Sequence, residues 1–97
     1  MSDTVGLSWI DVSGWAGRAF VIDTPFGEQV LTVDQVQALG GHSIRAGGSF
    51  RIEFTGPRDP VLEQSLYIFR DAGFVGEIFI VPVERDDAVT RYDAIFN

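Results

Sequence analysis

A two-residue rhythm of apolar and polar side chains constrains this chain more than any other feature. It is cleanest in Ser49–Thr55, where Phe50, Ile52 and Phe54 alternate with Ser49, Arg51, Glu53 and Thr55. Successive side chains of an extended chain point to opposite faces. The segment therefore reads as a half-buried antiparallel strand with three large apolar groups on its inner face. The same period recurs before and after it. Arg18–Thr24 places Phe20 and Ile22 on one face, and Ser65–Arg70 places Tyr67 and Phe69 opposite Leu66 and Ile68. Thr90–Phe96 aligns Tyr92, Ala94 and Phe96.

Two further strands carry complications. Glu28–Leu39 is rich in Val and Thr, yet Val30, Thr32, Asp34 and Val36 alternate with an equally mixed Leu31, Val33, Gln35 and Gln37. This mixture predicts a bulge or bend near Asp34. In Val75–Glu84, Ile78 and Ile80 oppose Phe79, Val81 and Val83, so both faces are apolar. That pattern predicts a strand that is central or roofed on both sides. Pro82 has no N–H for a ladder and marks a strand end or an edge.

The punctuation suits short connections. Pro25-Phe26-Gly27 reads as a turn in which Pro presets φ and Gly supplies a late positive φ. Asp71-Ala72-Gly73 and Arg85-Asp86-Asp87-Ala88 read as two more turns, and Gly56-Pro57-Arg58-Asp59-Pro60 as a strand break followed by an extended loop. Gly40-Gly41 and Gly47-Gly48 frame a loop within the domain. Strands so joined favour a meander closed into a small antiparallel barrel or sandwich of about six strands. Leu7–Trp15 is the one candidate helix, with Ser8 as N-cap and Asp11 in the capping-box position, and with Gly14 and Gly17 to end it. A strand is the alternative there. The helix would plug an open side or end of the sheet. At 97 residues the chain makes one mainly β domain.

Seven Arg, no Lys and fourteen acidic residues give a net charge of −7. Nucleic acids and anionic membrane surfaces are bound through basic charge, so neither is an expected partner. A basic protein surface is allowed. The lack of Cys excludes disulfides and thiolate chemistry and leans toward a reducing compartment. Met1-Ser2-Asp3-Thr4 shows neither a basic n-region nor an apolar run, so no signal peptide is expected. The expected location is the cytoplasm, or a particle assembled there.

Few residues invite chemistry. His42 is the single histidine, set among glycines beside Ser43, and a solvated loop role suits it better than acid–base work. The loop from Gly40 to Gly48 lacks the Lys and the following helix of a phosphate loop. Asp86-Asp87 fits turn chemistry. A zinc site would need more ligands than this chain offers, and a calcium loop would need a spacing that is not found. No catalytic residue, cofactor or metal site is expected. The candidate interaction residues are Trp9 and Trp15, His42, Ile44 and Arg45 of the glycine loop, and Arg51 and Glu53 on the outward face of their strand. For the tryptophans, core packing and an interface anchor are both open.

Phe54-Thr55-Gly56-Pro57, Tyr67, Gly76, Phe79-Ile80-Val81-Pro82-Val83 and the terminal Tyr92-Asp93-Ala94-Ile95-Phe96-Asn97 follow one another in a distinctive order. This order resembles DUF6916, a family of small bacterial domains of unknown function. Gly17-Arg18-Ala19-Phe20 is similar to that family's approach to its first strand. The chain departs from the family at Arg70-Asp71-Ala72, where a His-Pro pair is usual. The resemblance implies no reaction. Members of the family tend to be encoded near phage-tail-like collar proteins, which implies a structural or assembly role. The expected function is thus a non-enzymatic structural or protein-interaction module, binding a partner or itself through a β edge and the glycine loop. The alternatives are a small-ligand-binding β-barrel, with Phe20, Phe50, Phe54, Tyr67, Phe69, Phe79, Tyr92 and Phe96 lining a cavity, and an acidic inhibitor of a basic protein surface.

Overall fold

The computed structural model describes residues 7–40 and 48–97. A short helix, α1 (Trp9–Val12), precedes six strands: β1 (Ala19–Thr24), β2 (Gly27–Ala38), β3 (Phe50–Pro57), β4 (Ser65–Asp71), β5 (Phe74–Arg85) and β6 (Val89–Phe96). All neighbouring strands are antiparallel and close into a barrel in the order β1-β2-β3-β6-β5-β4. Mainly β structure, six strands and one short N-terminal helix agree with the sequence reading, and closure selects the barrel over the sandwich.

The order is not a simple meander. Two three-stranded meanders, β1-β2-β3 and β4-β5-β6, join where β3 lies on β6 and β4 lies on β1. The segment between β3 and β4 must therefore cross the barrel end where β3 finishes. Leu62 of that segment is buried. Its backbone N–H donates to the Tyr92 hydroxyl at 2.9 Å, and the Thr90 hydroxyl donates to the Arg58 carbonyl at 3.0 Å. The opposite end, where β1, β3 and β5 begin, is closed by Leu7, Val12 and Trp15, all buried, with Trp9 packed beside them.

Helix α1 is shorter than the Leu7–Trp15 expectation, but its start is as read. Ser8 accepts from the Asp11 N–H, and Asp11 accepts from the Ser8 N–H, so the capping box is complete. The Pro25-Phe26 turn ends in Gly27 at φ +98°. The bulge in β2 falls between Val33 and Gln35. It shifts the inward phase from Leu31 and Val33 to Val36, which is why neither face of this strand is purely apolar.

Three expectations need correction. β3 does not break at Gly56-Pro57; these residues pair with Thr90 and Val89. Gly56 is buried, and a Cβ there would collide with the Leu31 side chain. The glycine makes room for a core leucine instead of ending a strand. Pro82 is neither a strand end nor an edge; it lies within β5, paired with Tyr92, where a bulge between Pro82 and Glu84 interrupts the ladder. β5 is central, as one of the two readings has it, lying between β4 and β6, but it is not roofed on both sides. Ile78 and Ile80 are fully buried, whereas Phe79 and Val83 are about half exposed, at 48% and 50%.

Closure also removes the exposed strand edge expected as a contact surface. The shortest seam lies between β1 and β4, with two registered pairs, Val21–Arg70 and Ile22–Phe69. Ion pairs clamp it on both sides. Arg18, just before β1, makes a two-pronged contact to Asp71 at the end of β4, and Arg70 reaches Asp23 at 2.8 Å and Glu28 at 2.7 Å.

Candidate functional site

A barrel of about eight strands is just wide enough inside for its side chains to fill, and six strands enclose less. Phe20, Phe50, Phe54, Phe69 and Tyr92 all point inward and are at most 1% exposed. Phe69 packs against Phe20 at 6.0 Å and against Phe54 at 5.0 Å between ring centres. Of the rings expected to line a cavity, these five make the core instead, Phe50 stacks on Phe96, and Phe79 faces outward.

The two tryptophans have different settings. Trp15 is buried between Phe20 and Phe74, with centroid distances of 5.0 and 5.1 Å, and is a core residue, not an exposed anchor. Gly76 makes this packing possible: its missing Cβ leaves the space that the Phe74 ring covers. The Arg18 guanidinium sits 5.1 Å from both the Trp15 and the Phe20 rings while gripping Asp71. That grip, chiefly the hydrogen bond from Arg18, holds the Asp71 carboxyl down at about 2. Trp9 is partly buried against Phe50, 6.4 Å away. A cleft of about 220 Å³ opens beside Trp15 and Arg18, but its polar groups are already engaged in the capping box and the ion pair.

Arg51 and Glu53 face outward on β3, as read, and each finds a partner across the sheet. Arg51 lies 3.4 Å from Asp93 on β6, and Glu53 accepts from Gln35 on β2 at 3.1 Å. His42, Ile44 and Arg45 lie outside the described residues. The Asp86 carboxylate accepts from the N–H groups of Ala88 and Val89, which lowers its pKa and organises the β5–β6 turn. Every described Arg is ion-paired, and together they engage Asp23, Glu28, Asp34, Asp59, Asp71, Glu84, Asp86 and Asp93. Acidic charge is thus interleaved with basic charge around the barrel. Among the described residues, no three His, Asp or Glu side chains gather as a metal site, and no helix is long and apolar enough to cross a membrane.

The surface with most left over is the outer face of β4, β5 and β6. Leu66 and Ile68 on β4, Phe79 and Val83 on β5 and Ile95 on β6 are 47–53% exposed. Leu66 is directly opposite Phe79 in the β4–β5 register, so the side chains form one continuous apolar face. Between β5 and β6 this face sinks into an open concavity of about 280 Å³ lined by Phe79, Val81, Val83, Asp93 and Ile95. The sequence reading missed this site, although its signal, apolar residues on both sides of β5, was visible.

A small closed antiparallel barrel with a filled interior and an apolar outer wall is the class these features define. Within it, the chain belongs to the family described as Domain of unknown function (DUF6916), whose model matches residues 7–96. No curated protein and no solved structure matches the chain.

Proposed function

We propose that this domain is a protein-interaction module, working by docking and not by catalysis, and that the outer face of β4–β6 is its docking surface. One observation carries the reading: five large apolar side chains share one outer face at about half exposure, although the core is complete without them. Contiguous apolar patches of this kind mark association sites, whereas isolated exposed apolar residues do not. Docking on a sheet face also needs no open strand edge, and so suits a closed barrel. A subunit contact in a larger particle, of the phage-tail kind implied by the family resemblance, is one setting for such a module.

A photo-crosslinking residue placed at Leu66 or Phe79, and for comparison at Gln37 on the exposed part of β2, tests the reading in the native host. The expected result is the same crosslinked protein from Leu66 and Phe79 but not from Gln37, and its loss when Ile95 is changed to Glu. Equal crosslinking from all three positions, or none from the β4–β6 face, would overturn it.

A further inference from the structure

The floor of the concavity between β5 and β6 holds an incompletely compensated charge. Asp93 is only 14% exposed, its Oδ2 lies 3.4 Å from Arg51, and its Oδ1 has no hydrogen-bond partner. A carboxylate oxygen withdrawn from water without a donor is unfavourable, and apolar walls strengthen the field it projects. We infer that this concavity receives a basic side chain, best a guanidinium, from a protein partner whose surrounding contact surface is apolar. The inference rests on reading the β4–β6 face as the docking surface and names what that surface recognises.

The chemistry of the site selects this occupant. Phe79, Val81, Val83 and Ile95 suit the methylene stem of a long basic residue, and Asp93 suits its charged head. A guanidinium can stack its flat face on Phe79 within the field of the carboxylate, whose Oδ1 is itself shielded from solvent, so the attraction is through charge and not through a bond to that oxygen. The apolar surface continues beyond the concavity to Leu66 and Ile68, so the occupant is a macromolecular surface and not a free amine. A net charge of −7 attracts a basic partner and repels both anionic lipid and a second copy of this chain. The chain has no Lys, and its described Arg residues are already ion-paired.

The test is an NMR titration of the full chain with n-butylguanidinium, and in parallel with the neutral isostere n-butylurea. Shifts confined to Phe79, Val81, Val83, Asp93 and Ile95 are expected. The cation should bind at least about tenfold more tightly than the urea. Asp93→Asn should remove that preference. Phe79→Ser, at an exposed position that leaves the core intact, should weaken both probes and keeps the test decisive if Asp93→Asn disturbs folding. Equal affinity for the two probes, or an undiminished preference in Asp93→Asn, would overturn the cationic occupant and leave the docking face standing. Dimerisation that shifts the same residues without any probe would overturn it in favour of a second copy. Silence toward both probes would also overturn it, and crosslinking from Leu66 and Phe79 then decides the docking face separately.

Discussion

At the end of the barrel where β1, β3 and β5 begin, the stopper is a patch of local structure: a capped turn of helix, then Trp15 wedged between Phe20 and Phe74. At the other end the stopper is the β3–β4 connection. It is held by hydrogen bonds between its own backbone and side chains some thirty residues away: the Leu62 N–H donates to the Tyr92 hydroxyl, and the Arg58 carbonyl accepts from the Thr90 hydroxyl. The first closure depends on apolar area and aromatic contact. The second depends on satisfying backbone groups that burial would otherwise leave unpaired. A single barrel thus uses non-directional and directional forces at its two ends, and mutations should separate them.

The largest effect is expected from Trp15→Ala at the helical end. It empties the space between Phe20 and Phe74 and should cost about 3–5 kcal/mol in chemical denaturation, a large part of the stability of a domain this size. At the opposite end, Tyr92→Phe keeps the ring but removes the acceptor for the Leu62 N–H. The expected loss is about 1–3 kcal/mol, with hydrogen exchange quickening first in the β3–β4 connection. An equal quickening near α1 would show that the two closures are not independent.

Asp71→Asn probes the ion pair that ties the helical end to the β1–β4 seam. Arg18 lowers the Asp71 carboxyl to about 2 from its usual 3.8, so the unfolded chain takes up the proton first as the pH falls. The pair's contribution is therefore complete above the ordinary value and is lost as pH drops from about 4 toward 2. The variant should be about 1–2 kcal/mol less stable at neutral pH, and melting curves of the two proteins should converge near pH 2. The smallest effect is expected from Ser8→Ala, about 1 kcal/mol, read as a red shift of Trp9 fluorescence with the barrel intact.

Legibility in the sequence followed the range of the forces. The capping box of Ser8 and Asp11, the Pro25-Phe26 turn and the inward set Phe50, Ile52 and Phe54 depend on neighbours within a few residues, and each could be read directly. The bulge near Asp34 was legible too, because it breaks the period of the strand that contains it. Gly56 and Pro82 were misread because their reasons lie on other strands or in a change of register: Leu31 fills the space beside the glycine, and a bulge accommodates the proline. The candidate site was half legible. The apolar outer residues of β5 could be seen, but sequence alone supplied a roof that the fold does not build.

By itself the sequence determined the strands, the helix start and most of the inward-facing set. These follow from the alternation of side chains along an extended backbone and from local capping and turn chemistry. Only the tertiary structure decided that two meanders close on each other, which end each stopper fills, and which apolar residues remain uncovered. Those outcomes depend on pairing between segments far apart in the chain, and the period of one strand carries no record of its neighbours.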